Sequence, residues 1–279
     1  MPVFNAAPYL TQSIESILNQ TYKKFEFIII DDASTDDSWK IIRSYARRDP
    51  RIRIYRNHLN LGVSTTSDIA ISLARGKYLA RMDADDISTS DRLEKQLKYL
   101  KSNPKTVIVG AQCAIINQDN QIIGFKNFPL SDTDINKMLF WAVPIQQGYM
   151  MINRSLLPKN FTWYSINKTS AEEVDLYFRL SQYGFFANLK DNLYFYRQLN
   201  NSLSRQNPKK TFYLTLQSRL IAIKNGYKPS FKAIIINLAE IIAISLLPSS
   251  LIYNLWYFIR GITNNQSKSR IGTFVSSQV

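Results

Sequence analysis

Apolar residues recur along the first 110 positions in two alternating rhythms. Residues 8–20 (PYLTQSIESILNQ) place Leu10, Ile14, Ile17 and Leu18 on one stripe, the spacing of a helix. Phe25–Ile30 (FEFIII) is a short β-branched run, the pattern of a buried strand. Ser34-Thr35-Asp36-Asp37 offers capping residues, and 37–47 returns to helical spacing through Trp39, Ile42 and Tyr45 or Ala46. Arg51–Tyr55 alternates as a strand does, Asn60-Leu61-Gly62 is a turn, 63–75 is a helix ended near Gly76, and Tyr78–Met82 is another strand. This order predicts an α/β fold, with a mostly parallel sheet and helices on both faces. Ligands of such sheets bind at the carboxyl ends of strands. Asp31-Asp32 and Asp83-Ala84-Asp85-Asp86 each follow a predicted strand directly. Met1-Pro2-Val3-Phe4-Asn5 runs straight into a helix, so the first strand is reduced to a remnant, as from a truncated start or an initiator further upstream.

Beyond residue 105 the rhythm loosens. Val107–Asn117 and Gln121–Phe125 read as a hairpin around Asp119-Asn120. A helix is expected over 131–141, a strand over Gly148–Ile152, a helix over 170–183 capped by Ser170 and closed by Gly184, and a strand over 193–197. A mixed helix follows at 207–225, then two strongly apolar stretches, 233–247 and 249–260. The Ser/Asn/Gln-rich end, 264–279, is expected to fray. The domain organisation predicted is a catalytic unit over 1–204, a helical tail over 205–263 and a disordered end.

Charge sharpens the picture of the tail. The chain carries a net +14. Residues 205–279 hold ten Lys/Arg against Glu240 alone, a net +9. Basic residues interleaved with Ile/Leu runs suit an anionic lipid surface, and no nucleic-acid recognition motif accompanies them. The run 233–247 is shorter than the ~20 residues needed to span a bilayer. Pro248, Ser249, Ser250 and Asn254 interrupt any longer one. Helices lying in the membrane interface are therefore expected, the alternative being a helical subdomain packed on the catalytic unit. No signal-peptide pattern opens the sequence, which puts the expected location at the cytoplasmic face of a membrane. One cysteine, Cys113, and one histidine, His58, exclude a disulfide framework and clusters of Cys or His metal ligands. Cys113 reads as a core thiol and His58 as a loop residue.

The acidic run at 83–86 is the strongest chemical signal. Three carboxylates within four residues repel one another unless a cation or hydrogen-bond donors compensate. A hard divalent cation held by one or two carboxylates and bridging a diphosphate would do so. A helix N-terminus, where acids are favoured by the dipole, is the competing explanation. Asp175 and Arg179 stand at the i,i+4 spacing of a structural ion pair.

Four segments then occur in a familiar order. They are PVFNAAPYLTQSIESILNQTYKKFEFIIIDDASTDDSWKII, ARGKYLARMDADDISTSDRL (74–93), AEEVDLYFRLSQYG (171–184) and YRQLNNSLS (196–204). Together they resemble the inverting family-two glycosyltransferases of GT-A fold, of the kind that build bacterial cell-surface polysaccharides. The resemblance implies that Pro2, Phe4, Asp32, Asp83 and Asp85 bind a nucleotide-sugar, with Phe4 stacking on the base and Asp32 accepting from the ring N–H of uracil. It assigns a divalent metal, Mn or Mg, to Asp85 and Asp86, and makes Glu173 the general base. The family's usual base is aspartate. An Arg-Asn pair common after the Asn-x-Gly turn is Ser67-Asp68 here, and a histidine often found two residues after Tyr-Arg is Leu199.

The expected activity is transfer of one sugar from a nucleotide-sugar, with UDP as the carrier, to a glycan or lipid-linked acceptor. A degenerate binding or assembly protein on the same scaffold is the alternative. A sugar nucleotidyltransferase fits less well, since residues 1–20 contain no glycine for a phosphate loop.

Overall fold

The computed structural model describes residues 1–164, 171–199 and 207–246. The first third builds a small parallel sheet. Strand β1 (Pro2–Val3) leads into helix α1 (Ala7–Leu18), β2 (Phe27–Asp31) into α2 (Ser38–Ala46), and β3 (Ile52–Arg56) into α3 (Gly62–Leu73). The order β1-β2-β3 is parallel throughout, with Pro2 opposite Ile30 and Phe27 opposite Ile52. Every residue of β2 is buried, as the apolar run FEFIII requires. On α1, Leu10, Ile14 and Ile17 face inward, the stripe that the spacing predicts. Short as it is, β1 pairs as a strand with β2. An interior cavity of about 370 Å³ lies beside it, lined by Met1, Pro2, Phe27, Ile28, Tyr78 and Leu79 among others.

The rest of the chain adds β4 (Tyr78–Ala80), β5 (Ile87–Ser88), α4 (Arg92–Ser102), β6 (Thr106–Ile116), β7 (Ile122–Lys126), α5 (Asp132–Leu139), β8 (Met151–Asn153), α6 (Glu172–Leu180) and β9 (Phe185–Arg197). These strands form a second sheet in the order β4-β8-β6-β9-β5, with β7 also on β6. All eleven residues of β6 are buried, so it is the spine of the molecule. Cys113 lies on it as a buried free thiol, whereas His58 is exposed in a loop.

The expectation of a mostly parallel sheet needs correction in this half. Only β6–β9 is parallel there; β4–β8, β6–β8, β6–β7 and β5–β9 are antiparallel. For β6–β7 the cause is connection length, because a short turn such as 117–121 can only return a strand antiparallel to its neighbour; the other antiparallel pairs join strands distant in the chain, whose direction local spacing does not fix. That turn uses Asn120 in the left-handed region, φ 63°. The last strand is also longer than 193–197, running from Phe185. Helix α6 is capped by Ala171 at φ 57°; the expected cap Ser170 lies outside the described residues.

Two further helices, α7 (Pro208–Lys224) and α8 (Phe231–Leu246), pack on α5 and α6. The Tyr227 ring stacks on Phe140 at 5.7 Å, and its hydroxyl donates to the Asn136 carbonyl at 2.6 Å. Asn237 Nδ2 donates to the Phe140 carbonyl at 2.9 Å. The described part of the tail is thus seated on α5 and α6 of the α/β unit. The apolar stretch 249–260 and the end 264–279 lie outside the described residues. Among the described residues, no helix is long and apolar enough to cross a membrane.

One side chain fastens the two halves together. Arg197, at the end of β9, is 2% exposed. Its guanidinium donates to the carbonyls of Asp85 (2.7 Å) and Asn117 (3.0 Å) and to Gln12 Oε1 (3.2 Å), and it lies over the Tyr9 ring. Its backbone N–H donates to Asp86 Oδ1 at 2.6 Å. Replacing its side chain leaves several buried acceptors without a donor at once, while the backbone N–H to Asp86 remains. Arg197→Met is expected to lower stability in urea unfolding by about 1–3 kcal/mol, the cost of leaving buried polar groups without a hydrogen-bond partner. Arg197→Lys, which keeps the charge but not the fork, is expected to fall between.

Candidate functional site

The loops after β1 and β2 are stitched to each other. Asn5 and Ala33 both adopt positive φ, 48° and 61°, an arrangement costly for residues with a Cβ and found where a loop is held in one shape. Asn5 Oδ1 accepts from the Thr35 N–H at 2.8 Å, while Ser34 and Ser38 hydroxyls accept from the N–H groups of Asn5 and Ala6. The result holds Phe4 half-exposed beside the end of β2. The Asp32 N–H donates to Val3 O at 2.7 Å, which fixes Asp32 next to Phe4.

Asp32 is itself 3% exposed and heavily engaged. Its Oδ1 accepts from Asn57 Nδ2 (2.7 Å) and the Leu61 N–H (2.9 Å), and its Oδ2 from the Gly62 N–H (2.9 Å). The carboxylate therefore sits on the N-terminus of α3, where the dipole favours an anion. Gly62 has φ 82°, which lets the chain turn into the helix while presenting that N–H. Pro2 lies one strand position inward, on the wall of the interior cavity.

The acidic loop between β4 and β5 is held from three sides. Ser13 Oγ on α1 lies 2.8 Å from Ala84 O and 2.6 Å from Asp86 O. Arg92 Nη1 on α4 donates to Arg81 O at 3.0 Å. Arg197 holds the carbonyl of Asp85 from β9. The three carboxylates then take different settings. Asp83 Oδ1 accepts from Arg81 Nε at 2.9 Å, and Arg81 Nη1 donates to Ser67 Oγ on α3 at 2.6 Å. Burial and the neighbouring Asp83 push Asp85 up to about 6, while its own N–H and Arg197 oppose them. No side chain among the described residues donates to the Asp85 carboxylate. Asp86 is 1% exposed and raised well above the carboxylate range by burial, then by Asp85 and Asp83. The Arg197 N–H and the Tyr194 hydroxyl donate to it and pull the other way.

Helix α6 brings the Glu172-Glu173 pair to the same region. Glu172 is the buried member, at 7% exposure; burial raises its pKa, Arg81 and Gln147 lower it, and Asp83 raises it. Glu173 is half-exposed on the first turn. Asp175 and Arg179 form the expected ion pair at 2.9 Å, and Arg179 also donates to the Trp163 carbonyl at 2.8 Å. Asp68 Oδ1 accepts the Tyr164 N–H at 3.2 Å and so holds backbone.

Two participants are absent from the sequence reading. Arg81 supplies a buried cation beside Ser67, near the place where the family's Arg-Asn pair is replaced; alternation along ARMDADD was its only signal. Gly148 is the other. A Cβ there would stand 2.7 Å from Asp83 Oδ2 and 2.9 Å from the Tyr194 hydroxyl, so the backbone must pass this close without a side chain. A glycine within the apolar run QGYMM gives no hint of that role.

Residues 1–161 match the family model described as Glycosyl transferase family 2. The chain belongs to this family. An uncharacterized glycosyltransferase of Haemophilus influenzae is 32% identical over 209 residues, 72% of this chain and 65% of that protein, so the chain spans just under two thirds of it. An uncharacterized glycosyltransferase of Methanocaldococcus jannaschii is 34% identical over 75% of this chain and 74% of its own length. Among solved structures, S. aureus TarS 1-349 in complex with UDP-GlcNAc superposes with a TM-score of 0.66 at 16% identity, covering 85% of this chain and 68% of that one. The Pyrobaculum calidifontis mannosyltransferase PcManGT, in complex with GDP-Man and Mn2+, gives 0.57 at 17% identity over 93% and 82% of the two chains. These two likenesses place this family 2 chain in the GT-A fold.

Whether the acidic loop suits a divalent cation can be judged from its own chemistry. No group of three or more His, Cys, Asp or Glu side chains forms a closed cage among the described residues. Magnesium-type sites do not need one, since they use one or two carboxylates, waters and substrate phosphates. Asp85, half-buried beside Asp83 and short of donors, fits that description. The close pass at Gly148 gives a direct probe of the loop. Gly148→Ala is expected to displace the Asp83 carboxylate and weaken binding of UDP with Mn2+ roughly tenfold by titration calorimetry, a factor worth about 1.4 kcal/mol.

Proposed function

We propose that this family 2 chain transfers one sugar, with inversion, from a UDP-sugar to a glycan or lipid-linked acceptor at the cytoplasmic face of a membrane. The observation that carries this reading is the way α3 bridges the two acidic groups. Gly62, at its start, binds Asp32, and Ser67, five residues on, binds Arg81 and through it Asp83. Five residues of helix span about 7.5 Å, so this one helix ties the Asp32 carboxylate and the Ser67–Arg81–Asp83 chain into a fixed relation, as a site for a base and its diphosphate requires. Phe4 would stack on the base, Asp32 would accept its ring N–H, and Pro2 would back the strand that presents them. The solved structures of similar fold lend support, since TarS binds UDP-GlcNAc and PcManGT binds GDP-Man with Mn2+.

In this reading Asp83 and Asp85 hold a Mn or Mg ion. Asp86, which the family resemblance makes a metal ligand, acts instead in this reading as the buried anchor of the loop, because it is 1% exposed and accepts the Arg197 N–H at 2.6 Å. When bound, the cation would neutralise charge on the departing nucleoside diphosphate. Arg81 fixes Asp83 and, by its charge, the buried Glu172. Glu173, on the accessible part of the same turn, would take the proton of the acceptor hydroxyl as its oxygen attacks the anomeric carbon. Glu172 serves as a positioning residue that ties the first turn of α6 to the acidic loop.

Two measurements test this division. Glu173→Gln should lower transfer about 10²–10⁴-fold, the contribution of a positioned general base, and leave UDP binding intact; Glu173→Asp should keep substantial activity. If Glu172→Gln abolishes transfer and Glu173→Gln does not, the base is Glu172.

Asp85→Asn separates stability from function. It removes a carboxylate whose ionisation burial opposes, so the ligand-free protein should gain on the order of 1–2 kcal/mol in urea unfolding. The same variant should lose the cation-dependent rise in melting temperature with UDP, the linkage that a specific ligand produces. Retention of that rise would remove Asp85 from the metal site.

A further inference from the structure

Helix α8 is built inside out. Ala233, Asn237, Glu240 and Ile244, spaced 4, 3 and 4 apart, form its buried stripe. Two of those four are polar, and the protein satisfies them: Arg219 Nη1 donates to Asn237 Oδ1 at 2.7 Å and to Glu240 Oε2 at 2.8 Å. The stripe that faces away from the protein is Phe231, Ile235, Leu238, Ile242 and Leu246, at 79%, 50%, 55%, 59% and 78% exposure. A helix on a water-facing surface shows the reverse pattern, apolar toward the core and polar outward. Here the molecule has placed its hydrogen-bonding groups inward and left a continuous row of large apolar side chains outside.

The charges around this row select the kind of surface it meets. Lys210, Lys224, Lys228 and Lys232 are exposed, and Lys209 is half-exposed. The one acid between 207 and 246, Glu240, is buried against Arg219. The outer surface of α7 and α8 therefore presents lysines and no exposed carboxylate. A neighbouring copy of the same surface would set like charge against like. An anionic bilayer would attract the lysines and accept the apolar row, the combination by which helices lie in a membrane interface. Sixteen residues of helix extend about 24 Å, and the bound helix would lie along the surface.

We infer that the outer face of α8, from Phe231 to Leu246, docks on an anionic lipid surface, with Lys228 and Lys232 at the headgroups and Leu238 and Ile242 below them. The placement has a purpose in the reaction. Ala233 of α8 belongs to the same buried cluster as Val174 and Phe178 of α6, the helix that begins with Glu172 and Glu173. A membrane held by α8 would keep those glutamates at a fixed height above it, within reach of an acceptor carried on a lipid. This purpose rests on the proposed transfer to a lipid-linked acceptor; the docking itself is measured without any transfer.

The test uses the full chain and sedimentation with vesicles of equal parts phosphatidylcholine and phosphatidylglycerol, against vesicles of phosphatidylcholine alone. The wild type should sediment with the anionic vesicles, and less so as salt is raised. Leu238→Glu with Ile242→Glu, both at exposed positions, should weaken that binding roughly tenfold or more, and Lys228→Glu with Lys232→Glu should do so at low salt. Both pairs should retain the rise in melting temperature with UDP and Mn2+, which reports the donor site separately. Absence of wild-type binding, or binding unchanged in both pairs, overturns the docking face while leaving the transferase reading to its own tests. A shift from dimer to monomer in the Leu238/Ile242 pair without vesicle binding would make the face a contact between copies. A lower melting temperature in that pair with unchanged vesicle binding would mean that the chain's own residues cover it. Either result overturns the proposal.

Discussion

The arrangement of this molecule depends on one buried guanidinium. Arg197 gathers the carbonyl of Asp85, the turn after β6 and Gln12 of α1, while its own backbone holds Asp86. Those contacts join the first helix, the acidic loop and the last strand at a single point. Buried charge of this kind is tolerable only when its donors and acceptors are matched. The matching forces the loop that carries Asp83 and Asp85 into one conformation, which is the condition a metal–diphosphate site must meet. A flexible acidic loop would spread its carboxylates apart and lose the strained proximity that makes a cation welcome.

The same logic separates the three aspartates. They are neighbours in sequence, but the fold gives each a different partner: a cation for Asp83 in Arg81, a neutral N–H and hydroxyl for Asp86, and little beyond its own backbone for Asp85. The residue with the fewest protein partners is the one best left for an external ion. The glutamate pair on α6 divides in a similar way, with Glu172 buried in the Arg81 network and Glu173 only partly buried.

The alternation of the first 80 residues was enough to place β2, β3, α1, α2 and α3 within a few residues of where they lie, because each element buries one face against the next. The second half was less legible for physical reasons. Strand β5 is two residues long and gains its place only by pairing with β9, a partner more than a hundred residues away. The eight residues before Leu193 lack the apolar alternation of a strand, yet they are drawn into β9 by the fully buried β6 beside them. Asp32, Asp83 and Asp85 were visible as carboxylates after strands. Their division of labour was not, since it depends on how Arg81 turns beside Asp83 and on Gly148, Tyr194 and Arg197 arriving from elsewhere in the chain. The inverted polarity of α8 was hidden for the same reason: an apolar run reads alike whether it faces a core or the outside.

The bond between the Arg197 N–H and Asp86 spans 111 residues of chain. As the polypeptide leaves the ribosome, β1, β2 and β3 can pair with near neighbours at once. The acidic loop must wait for β9, since contacts of such long sequence separation form late. The part that would recognise the nucleotide can thus take shape well before the part that would perform the chemistry. During that interval the three aspartates remain in water, where their mutual repulsion is weak. They lose that water only when β9 closes over the loop, so the energetic cost of burying them falls on that step of folding.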